Sequence, residues 1–416
     1  MTRNIRIPFR PVLWFVASLI LPLIPSAGFG QDSSAVEARF YLDGSPVKIE
    51  IEGSTISRIV RLDAPSSPET AQTYVAPGFI DNQVNGYASH SFSTTELTVE
   101  QVRVATKGLW EAGVTTYLPT VTTNAHETIR HAFKVLAEAT RDPEIGSSIP
   151  GFHLEGPYIS PVDGYRGAHQ ARWVRPPDWV EFQEYYRAAD AKILQVSLAP
   201  EIEGAMEFIR NCRKEGIVVA LAHHNGSAAV ITEAVDAGAA ISTHLGNGCA
   251  NEIHRHNNPL WPQLAEDRLM ASIIVDSFHL RPEEVKTFFQ AKGKDRIVVT
   301  SDVTKFLGLA PGVYNLDGKE LELTPEGMVK FPAQNVLAGA ALPVTAGVGN
   351  LMRYTGCSLA DAVQTVTQNP ARLYGWNDRG ELAPGKRADL VVFRIENSKL
   401  VVQMTMVAGK VVYEAD

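Results

Sequence analysis

At 416 residues, the chain is long enough to bury a large core and to carry more than one domain. Hydrophobic residues make up 45% and charged residues 20%, which is ordinary for a folded soluble protein. The formal net charge of -8 and the lack of a strong basic cluster in the sequence argue against nucleic acid as a partner. Three scattered cysteines give neither a disulfide framework nor a thiolate metal site.

The first 30 residues have the pattern of a secretory signal peptide. Three arginines precede an apolar stretch from about Val12 to Ile24, and small residues up to Gly30 then lead into polar sequence. The stretch is shorter than the about 20 apolar residues of a membrane span. We therefore expect export to the periplasm or the extracellular space and, after cleavage, no membrane association. An uncleaved membrane anchor is the alternative.

Both ends of the mature chain have the pattern of short β-strands. Residues 31–76 and 376–416 alternate apolar and polar positions and are punctuated by glycine and proline, as antiparallel strands are. We predict that these two segments pair into one small β-sandwich domain.

Residues 77–375 alternate short apolar runs with amphipathic stretches. Eight runs have the length and composition of buried parallel strands: APGFIDNQV, TTYLPTV, IPGFHLE, ILQVSLAP, IVVALAH, AAISTHL, MASIIVD and RIVVTSD. Together with the predicted helices at 98–113, 126–140 and 281–293, they favour an α/β fold, a (β/α)8 TIM barrel, over an open doubly wound sheet. After Asp302 we expect a longer irregular insert, followed by helices near 345–355 and 358–369.

Four ionisable residues lie at the carboxyl ends of predicted strands: Glu155, His223, His244 and Asp302. In a barrel these strand ends meet at one rim. One carboxylate and two imidazoles make a three-ligand site for a divalent metal, with a position left for water. The second carboxylate would move protons or serve as a fourth ligand. The combination predicts metal-assisted hydrolysis.

His224 adjoins His223, and only one of the two can point inward from a strand. His223 completes the apolar run and is therefore the predicted ligand, with His224 as the alternative. Gln83 and Asn85 occupy the positions where many metal-dependent barrel hydrolases carry an HxH pair. Amides are poor zinc ligands compared with imidazole, so one ion per subunit is expected. Zinc fits the ligand set best, and ferrous iron or manganese would also fit.

Two further histidines, His169 in YRGAHQ and His279 in VDSFHL, follow other predicted strands. Their placement at the same rim favours a role in contacting substrate.

The order and spacing of these motifs resemble those of N-acetylglucosamine-6-phosphate deacetylases, in the amidohydrolase superfamily. The matching segments cover nearly the whole mature chain: APGFIDNQVNG, GVTTYLPTVTT, HLEGPYIS, RGAH, SLAPE, AHHNGS, STHLGN, VDSFHL, VVTSD and GELAPGKRADLVVF. The resemblance implies hydrolysis of the acetamide of an N-acetylated amino sugar, first of all N-acetylglucosamine 6-phosphate, to the amine and acetate. It also implies a homodimer in which His279 reaches a neighbouring site.

The resemblance implies a role for each site residue. The metal ligands would be Glu155, His223 and His244, and Asp302 would be the general acid and base. The substrate-binding residues would be Gln83, Asn85, His169, Asn247, Gly248, Arg255 and His279, with Arg255 in place of the arginine that helps to hold phosphate in the family.

The chain departs from the family pattern around that arginine, where it reads HLGNGCANEIHRHNNPLW, and it has AGAALP where a serine is usual. Export raises a second question, because sugar phosphates are mainly cytoplasmic metabolites. One alternative is therefore an exported enzyme for an unphosphorylated N-acetyl sugar or another N-acyl or cyclic amide, with Arg172 or Arg255 anchoring a carboxylate. Another is a non-catalytic sugar-binding protein, against which the four intact site residues argue.

Overall fold

The computed structural model describes residues 33–316, 319–332 and 336–415. The predicted signal peptide, residues 1–30, lies outside the described residues. The described chain begins with four strands, β1 (Ser33–Phe40), β2 (Pro46–Glu52), β3 (Thr55–Arg61) and β4 (Thr73–Pro77). A single residue, Gly78, separates β4 from the first strand of the next sheet.

Eight parallel strands form the centre of the molecule. In chain order they are β5 (Phe79–Val84), β8 (Val114–Thr122), β9 (Phe152–Glu155), β10 (Ile193–Leu198), β11 (Val218–Leu221), β12 (Ala239–Ser242), β13 (Met270–Ile274) and β14 (Ile297–Thr300). A short hairpin of β6 (Gly86–Tyr87) and β7 (His90–Ser91) lies between the first two in the chain. Each strand pairs with the next along the chain, from β5 and β8 through to β14.

The first and last strands of this sheet also meet. A parallel bridge joins Val84 to Val303, and the buried carboxylate of Asp81 on β5 accepts hydrogen bonds from the hydroxyls of Thr300 and Ser301. The sheet therefore closes into the predicted (β/α)8 barrel. Parallel strands in such a barrel are covered on both faces, and every residue of β5, β9 and β14 is buried.

Helices cover the outside of the barrel. They are α1 (Val99–Glu111), α2 (His126–Ala139), α3 (Trp179–Ala188), α4 (Ala205–Lys214), α5 (Ala228–Ala237), α6 (Leu260–Ala265), α7 (Pro282–Lys292), α8 (Val344–Thr355), α9 (Leu359–Gln364) and α10 (Gln368–Leu373). The three helices predicted at 98–113, 126–140 and 281–293 are confirmed as α1, α2 and α7. Thr98 begins α1 with a capping box, in which Thr98 and Gln101 bond each other's backbone N–H.

The prediction of one helix at 358–369 was wrong in one respect, because two short helices, α9 and α10, occupy that region. The hydroxyls of Thr365 and Thr367 donate to the carbonyls of Ala362 and Val363. Such side-chain bonds compete with helical backbone bonds, and the two threonines lie in the break between α9 and α10.

The segment after Asp302 was predicted to be irregular, and this was wrong. It contains four antiparallel strands, β15 (Gly312–Leu316), β16 (Lys319–Leu323), β17 (Met328–Phe331) and β18 (Val336–Ala340). A small apolar cluster including Phe306, Leu321 and Val329 packs against this sheet. The strands are short and gain their stability from that cluster, which a local pattern does not reveal.

The two ends of the chain pair with each other, as predicted, and their strands form a single seven-stranded sheet. The C-terminal strands β19 (Leu390–Glu396), β20 (Lys399–Val407) and β21 (Lys410–Glu414) join the first four in the order β21-β20-β19-β4-β1-β2-β3. All neighbours are antiparallel except the pair β1 and β4. Thr405 on β20 donates to the carbonyl of Trp110 on α1, which ties this sheet to the barrel. Among the described residues, no helix has the length and apolar character needed to cross a membrane.

Candidate active site

Three buried side chains meet at the carboxyl ends of neighbouring barrel strands. Glu155 is the last residue of β9, while His223 and His244 each follow the end of their strands, β11 and β12, by two residues. Glu155 Oε1 lies 3.0 Å from His244 Nε2 and 3.4 Å from His223 Nε2. One potential ligand atom from each residue lies within 4.8 Å of the other two. We call these three residues the ligand cluster.

The backbone at the rim is turned sharply to present these groups. His223, His244 and Asp302 have φ angles of 49°, 31° and 51°, in the left-handed region that non-glycine residues seldom adopt. Such a conformation costs about 1–3 kcal/mol per residue and is found mostly where function requires it. Hydrogen bonds hold it in place, and one of them runs from the backbone N–H of His244 to Ser272 Oγ at 2.8 Å.

The protonation of the cluster suits a divalent cation. His223 Nδ1 lies 3.0 Å from the carbonyl oxygen of Tyr165, which can only accept, so Nδ1 carries the proton and Nε2 has a free lone pair. Burial by itself raises the pKa of Glu155, but its contacts with the imidazoles of His223 and His244 outweigh it and hold that pKa well below the ordinary value. Burial lowers the pKa of His244, yet the Glu155 carboxylate reverses this and raises it. The cluster therefore stabilises a positive charge.

His224 does not belong to the cluster. Its Nδ1 accepts a hydrogen bond from the backbone N–H of Gly226 at 3.1 Å, and burial lowers its pKa to about 4. The ligand atoms that face Glu155 come from His223 and His244.

Asp302 lies beside the cluster, two residues after β14. Asn85, which follows β5, donates from Nδ2 to Asp302 Oδ1 at 2.7 Å. Burial raises the pKa of Asp302 to about 7 and the charge of Glu155 adds to the rise, while His244 and the bond from Asn85 offset part of it. A carboxyl group with a pKa near neutrality can both accept and release a proton, which is the property of a general acid and base.

His169 and His279, the two predicted contact histidines, occupy different positions. His169 Nε2 lies 3.2 Å from His223 Nε2, and its Nδ1 lies 2.7 Å from Thr123 Oγ1. Burial, together with His223, lowers the pKa of His169 to about 3, so the ring is neutral. His279 Nδ1 lies 2.7 Å from Asp276 Oδ2, and His279 favours the ionised form of Asp302.

The remaining predicted residues fall into two groups: those near the rim of the barrel, and Arg255. Several buried polar atoms near the rim have no hydrogen-bond partner among the described residues and are available to a ligand; they are Gln83 Nε2, Asn85 Oδ1 and Asn247 Nδ2. Gly248 has a φ of 62°, and a Cβ there would lie 2.9 Å from His223 Nδ1, so close packing on the cluster requires glycine. Arg255 instead lies on the exposed segment before α6, where its carbonyl accepts from Trp261 Nε1 at 2.8 Å.

Three residues that support the site were not predicted from the sequence. Thr123 contacts His169, Ser272 accepts from His244, and the Tyr165 carbonyl accepts from His223. Thr123 follows the end of β8, so its place at the carboxyl end of a strand was a usable signal. A backbone carbonyl such as that of Tyr165 leaves no signal in a sequence.

Comparison with known proteins identifies the family. The amidohydrolase family profile matches residues 74–412. The N-acetylglucosamine-6-phosphate deacetylase of Bacillus subtilis (strain 168) is 31% identical over 353 residues, which cover 83% of this chain and 87% of the relative. The N-acetylgalactosamine-6-phosphate deacetylase of Escherichia coli O157:H7 is 31% identical over 337 residues, which cover 81% and 87%. The chain belongs to the N-acetylglucosamine-6-phosphate deacetylase family.

The solved structures agree with this assignment. The N-acetylglucosamine-6-phosphate deacetylase from Thermotoga maritima superposes with a TM-score of 0.80 at 27% identity, over 92% of this chain and all of that chain. A mutant of the Mycobacterium smegmatis enzyme in complex with N-acetyl-D-glucosamine-6-phosphate superposes with a TM-score of 0.79 at 27% identity, covering 91% and 99%. As a member of this deacetylase family, the chain is a hydrolase that acts on an amide C–N bond. The family is metal-dependent, and the ligand cluster provides a place for the metal.

Proposed function

We propose that the chain hydrolyses the acetamide of an N-acetylated hexosamine 6-phosphate to the amine and acetate, with N-acetylglucosamine 6-phosphate as its preferred substrate. The observation that carries this proposal is the buried cluster of Glu155, His223 and His244 with Asp302 beside it. The curated relatives act on the 6-phosphates of N-acetylglucosamine or N-acetylgalactosamine, as their names state. Those substrates share the acetamide group, at which the chemistry takes place.

The ligand cluster would hold one divalent ion in each subunit. Its donor set of one carboxylate and two imidazoles fits zinc best, and ferrous iron or manganese fits the same set. Gln83 and Asn85 stand where a second pair of imidazoles would be needed for another ion, which supports one ion rather than two. When bound, such an ion lowers the pKa of a water molecule and polarises the acetamide carbonyl.

The side chains of the site divide the remaining work. Asp302 in its carboxylate form accepts a proton from the water whose oxygen attacks the carbonyl carbon. As negative charge develops on the carbonyl oxygen, His169 Nε2 donates a hydrogen bond to it. Protonated Asp302 then gives its proton to the amide nitrogen, the C–N bond breaks, and acetate and the free amine are the products. Asn85 keeps the Asp302 carboxylate oriented through its hydrogen bond to Oδ1.

A second candidate substrate is the unphosphorylated N-acetyl sugar. Two observations favour it. Residues 1–30 have the pattern of an export signal, and the segment that carries Arg255, HLGNGCANEIHRHNNPLW, departs from the family pattern around the arginine that helps to hold phosphate. We propose that the mature chain is exported and forms a homodimer. Amino-terminal sequencing of the exported protein and light scattering on the purified protein test these two points.

The test of the function is free-amine release by the mature chain, residues 31–416, loaded with zinc. The substrates are N-acetylglucosamine 6-phosphate, N-acetylgalactosamine 6-phosphate and N-acetylglucosamine, and the Asp302→Asn variant is the control. We expect amine from a phosphorylated sugar with wild type and almost none with the variant. Turnover of the unphosphorylated sugar alone would favour the second candidate. If no acetylated sugar reacts while zinc is bound, the substrate assignment is wrong.

A further inference from the structure

We propose that Thr123 is a positioning residue for the reaction, whose hydroxyl donates to His169 Nδ1 and thereby aims the Nε2–H of that ring at the acetamide oxygen. The inference rests on the proposed function, because it takes the acetamide carbonyl as the acceptor. Thr123 is 7% exposed, and it lies one residue beyond the end of β8.

The direction of each hydrogen bond follows from a chain of four groups. The Tyr165 carbonyl accepts from His223 Nδ1, so His223 Nε2 has a lone pair and no proton. His169 Nε2 lies 3.2 Å from His223 Nε2 and must therefore be the N–H donor. A neutral ring that carries its proton on Nε2 has a lone pair on Nδ1. Thr123 Oγ1, 2.7 Å from His169 Nδ1, is consequently the donor there.

The hydroxyl of Thr123 has one proton and two possible acceptors. Its oxygen is 2.7 Å from His169 Nδ1 but 3.5 Å from the Glu155 carbonyl oxygen, at the outer limit for a hydrogen bond. The proton therefore goes to His169. Gly156 leaves room for this arrangement, because a Cβ at that position would lie 2.1 Å from Thr123 Oγ1.

The consequence appears when a cation occupies the ligand cluster. The lone pair of His223 Nε2 is then engaged, and the N–H of His169 becomes free for the substrate oxygen. A donor held in place before the reaction stabilises the developing negative charge without reorganisation. Without the Thr123 hydroxyl, His169 Nδ1 loses its hydrogen-bond partner, and the ring loses the bond that fixes its angle.

The kinetic test compares Thr123→Val, which has the same shape but no hydroxyl, with Thr123→Ser, which keeps the hydroxyl. Both are measured in the zinc-loaded enzyme on the best acetylated sugar. We expect Thr123→Val to lower kcat by about tenfold or more and to change KM by less than about threefold. The loss in kcat should be smaller than the about 10²–10³-fold that follows complete removal of a donor to the oxyanion. Thr123→Ser should stay within about threefold of wild type, and bound zinc should be unchanged in both variants. If the valine variant does not fold, Thr123→Ala also lacks the hydroxyl and does not overfill the site.

A double-mutant cycle separates positioning from a general structural effect. Since Thr123 acts through His169, adding Thr123→Val to His169→Gln should cost less than about twofold further in kcat, whereas independent effects would multiply. Unchanged kcat in Thr123→Val, or full multiplication in the double variant, would overturn the proposal.

The proton positions are read directly by two-bond ¹H–¹⁵N correlation spectra of zinc-loaded protein with ¹⁵N-labelled histidine. His169 is assigned by its disappearance in the His169→Gln variant. We expect a protonated Nε2 and an unprotonated Nδ1, with the Nδ1 signal shifting in Thr123→Val. A protonated Nδ1 in wild type would show that Thr123 accepts, contrary to the proposal. This measurement needs no turnover, so it decides the Thr123 contact even if the proposed substrate is wrong.

Discussion

Asn85 donates a hydrogen bond from Nδ2 to Asp302 Oδ1 at 2.7 Å, although the two residues are 217 positions apart in the chain. Asn85 follows the first barrel strand and Asp302 follows the last, so the bond spans the seam where the barrel closes. Asn85 therefore fixes the orientation of the carboxyl group that we propose to move the proton.

Replacing Asp302 with asparagine should abolish most turnover. Asn keeps the size of the side chain but cannot accept and return a proton, and positioned acid–base groups contribute about 10²–10⁴-fold to rate. We expect kcat to fall within that range while zinc content stays at the wild-type level. Asp267→Asn is a matched control, because Asp267 is 80% exposed and pairs with Arg296. A variant that loses its zinc would identify Asp302 as a fourth ligand.

The rate should rise with pH as Asp302 ionises. Burial places the pKa of Asp302 at about 7, and a divalent cation nearby favours the carboxylate, so the rising limb of kcat/KM should lie at or below pH 7. Asn85→Ala removes a bond that stabilises the carboxylate and should move the limb upward by about one unit, since one unit is about 1.4 kcal/mol. A limb that moved downward in this variant would contradict the assignment.

Metal content should depend on His223 and His244 but not on His224. Replacing either ligand with alanine removes one of three donors, and we expect bound zinc to fall by at least about tenfold after dialysis. His224→Asn is the matched control, because His224 is equally buried but its Nδ1 bonds to the backbone of Gly226. Elemental analysis of the three variants gives the result. Loss of zinc from the His224 variant alone would show that the ligand assignment is wrong.

Replacing Arg255 tests whether this chain recognises phosphate through that residue. If its guanidinium binds the 6-phosphate, Arg255→Gln should raise KM for the phosphorylated sugar by about tenfold or more, the cost of losing a charge-assisted bond. KM for the unphosphorylated sugar should not change. Arg268→Gln is the control, since Arg268 is also exposed but pairs with Glu266 and Asp236. Equal KM values for wild type and Arg255→Gln would assign phosphate recognition to other residues.

Asp81 should make the stability of the protein depend on pH. Burial raises its pKa from 3.8 to about 6, against the hydrogen bonds from Ser301 and Thr300. The folded state therefore binds more protons than the unfolded state between these values, and the free energy of unfolding falls as pH rises. The change is about 2 kcal/mol between pH 4 and 6.5. In urea titrations, this part of the pH dependence should be missing from Asp81→Asn. If the free energy of unfolding changed with pH by the same slope in both proteins, the role of Asp81 would be refuted.

The fold could be predicted from the sequence wherever the pattern is local. The eight apolar runs, the helices α1, α2 and α7, and the pairing of the two ends into one sheet all follow from residue periodicity and punctuation. The four strands β15–β18 could not be predicted in this way, because their few buried side chains, such as Leu321 and Val329, are stabilised by contacts with Phe306 rather than by their own pattern.

For the site, the sequence was enough to predict which residues carry the chemistry. Glu155, His223, His244 and Asp302 end apolar runs, and parallel strands in a barrel bring their carboxyl ends to one rim. The contacts in the folded chain were needed to show which of His223 and His224 faces Glu155, that Asn85 binds Asp302, and that Thr123 binds His169. These relationships depend on backbone angles at the strand ends and on contacts between residues far apart in the chain, which residue order and spacing do not encode.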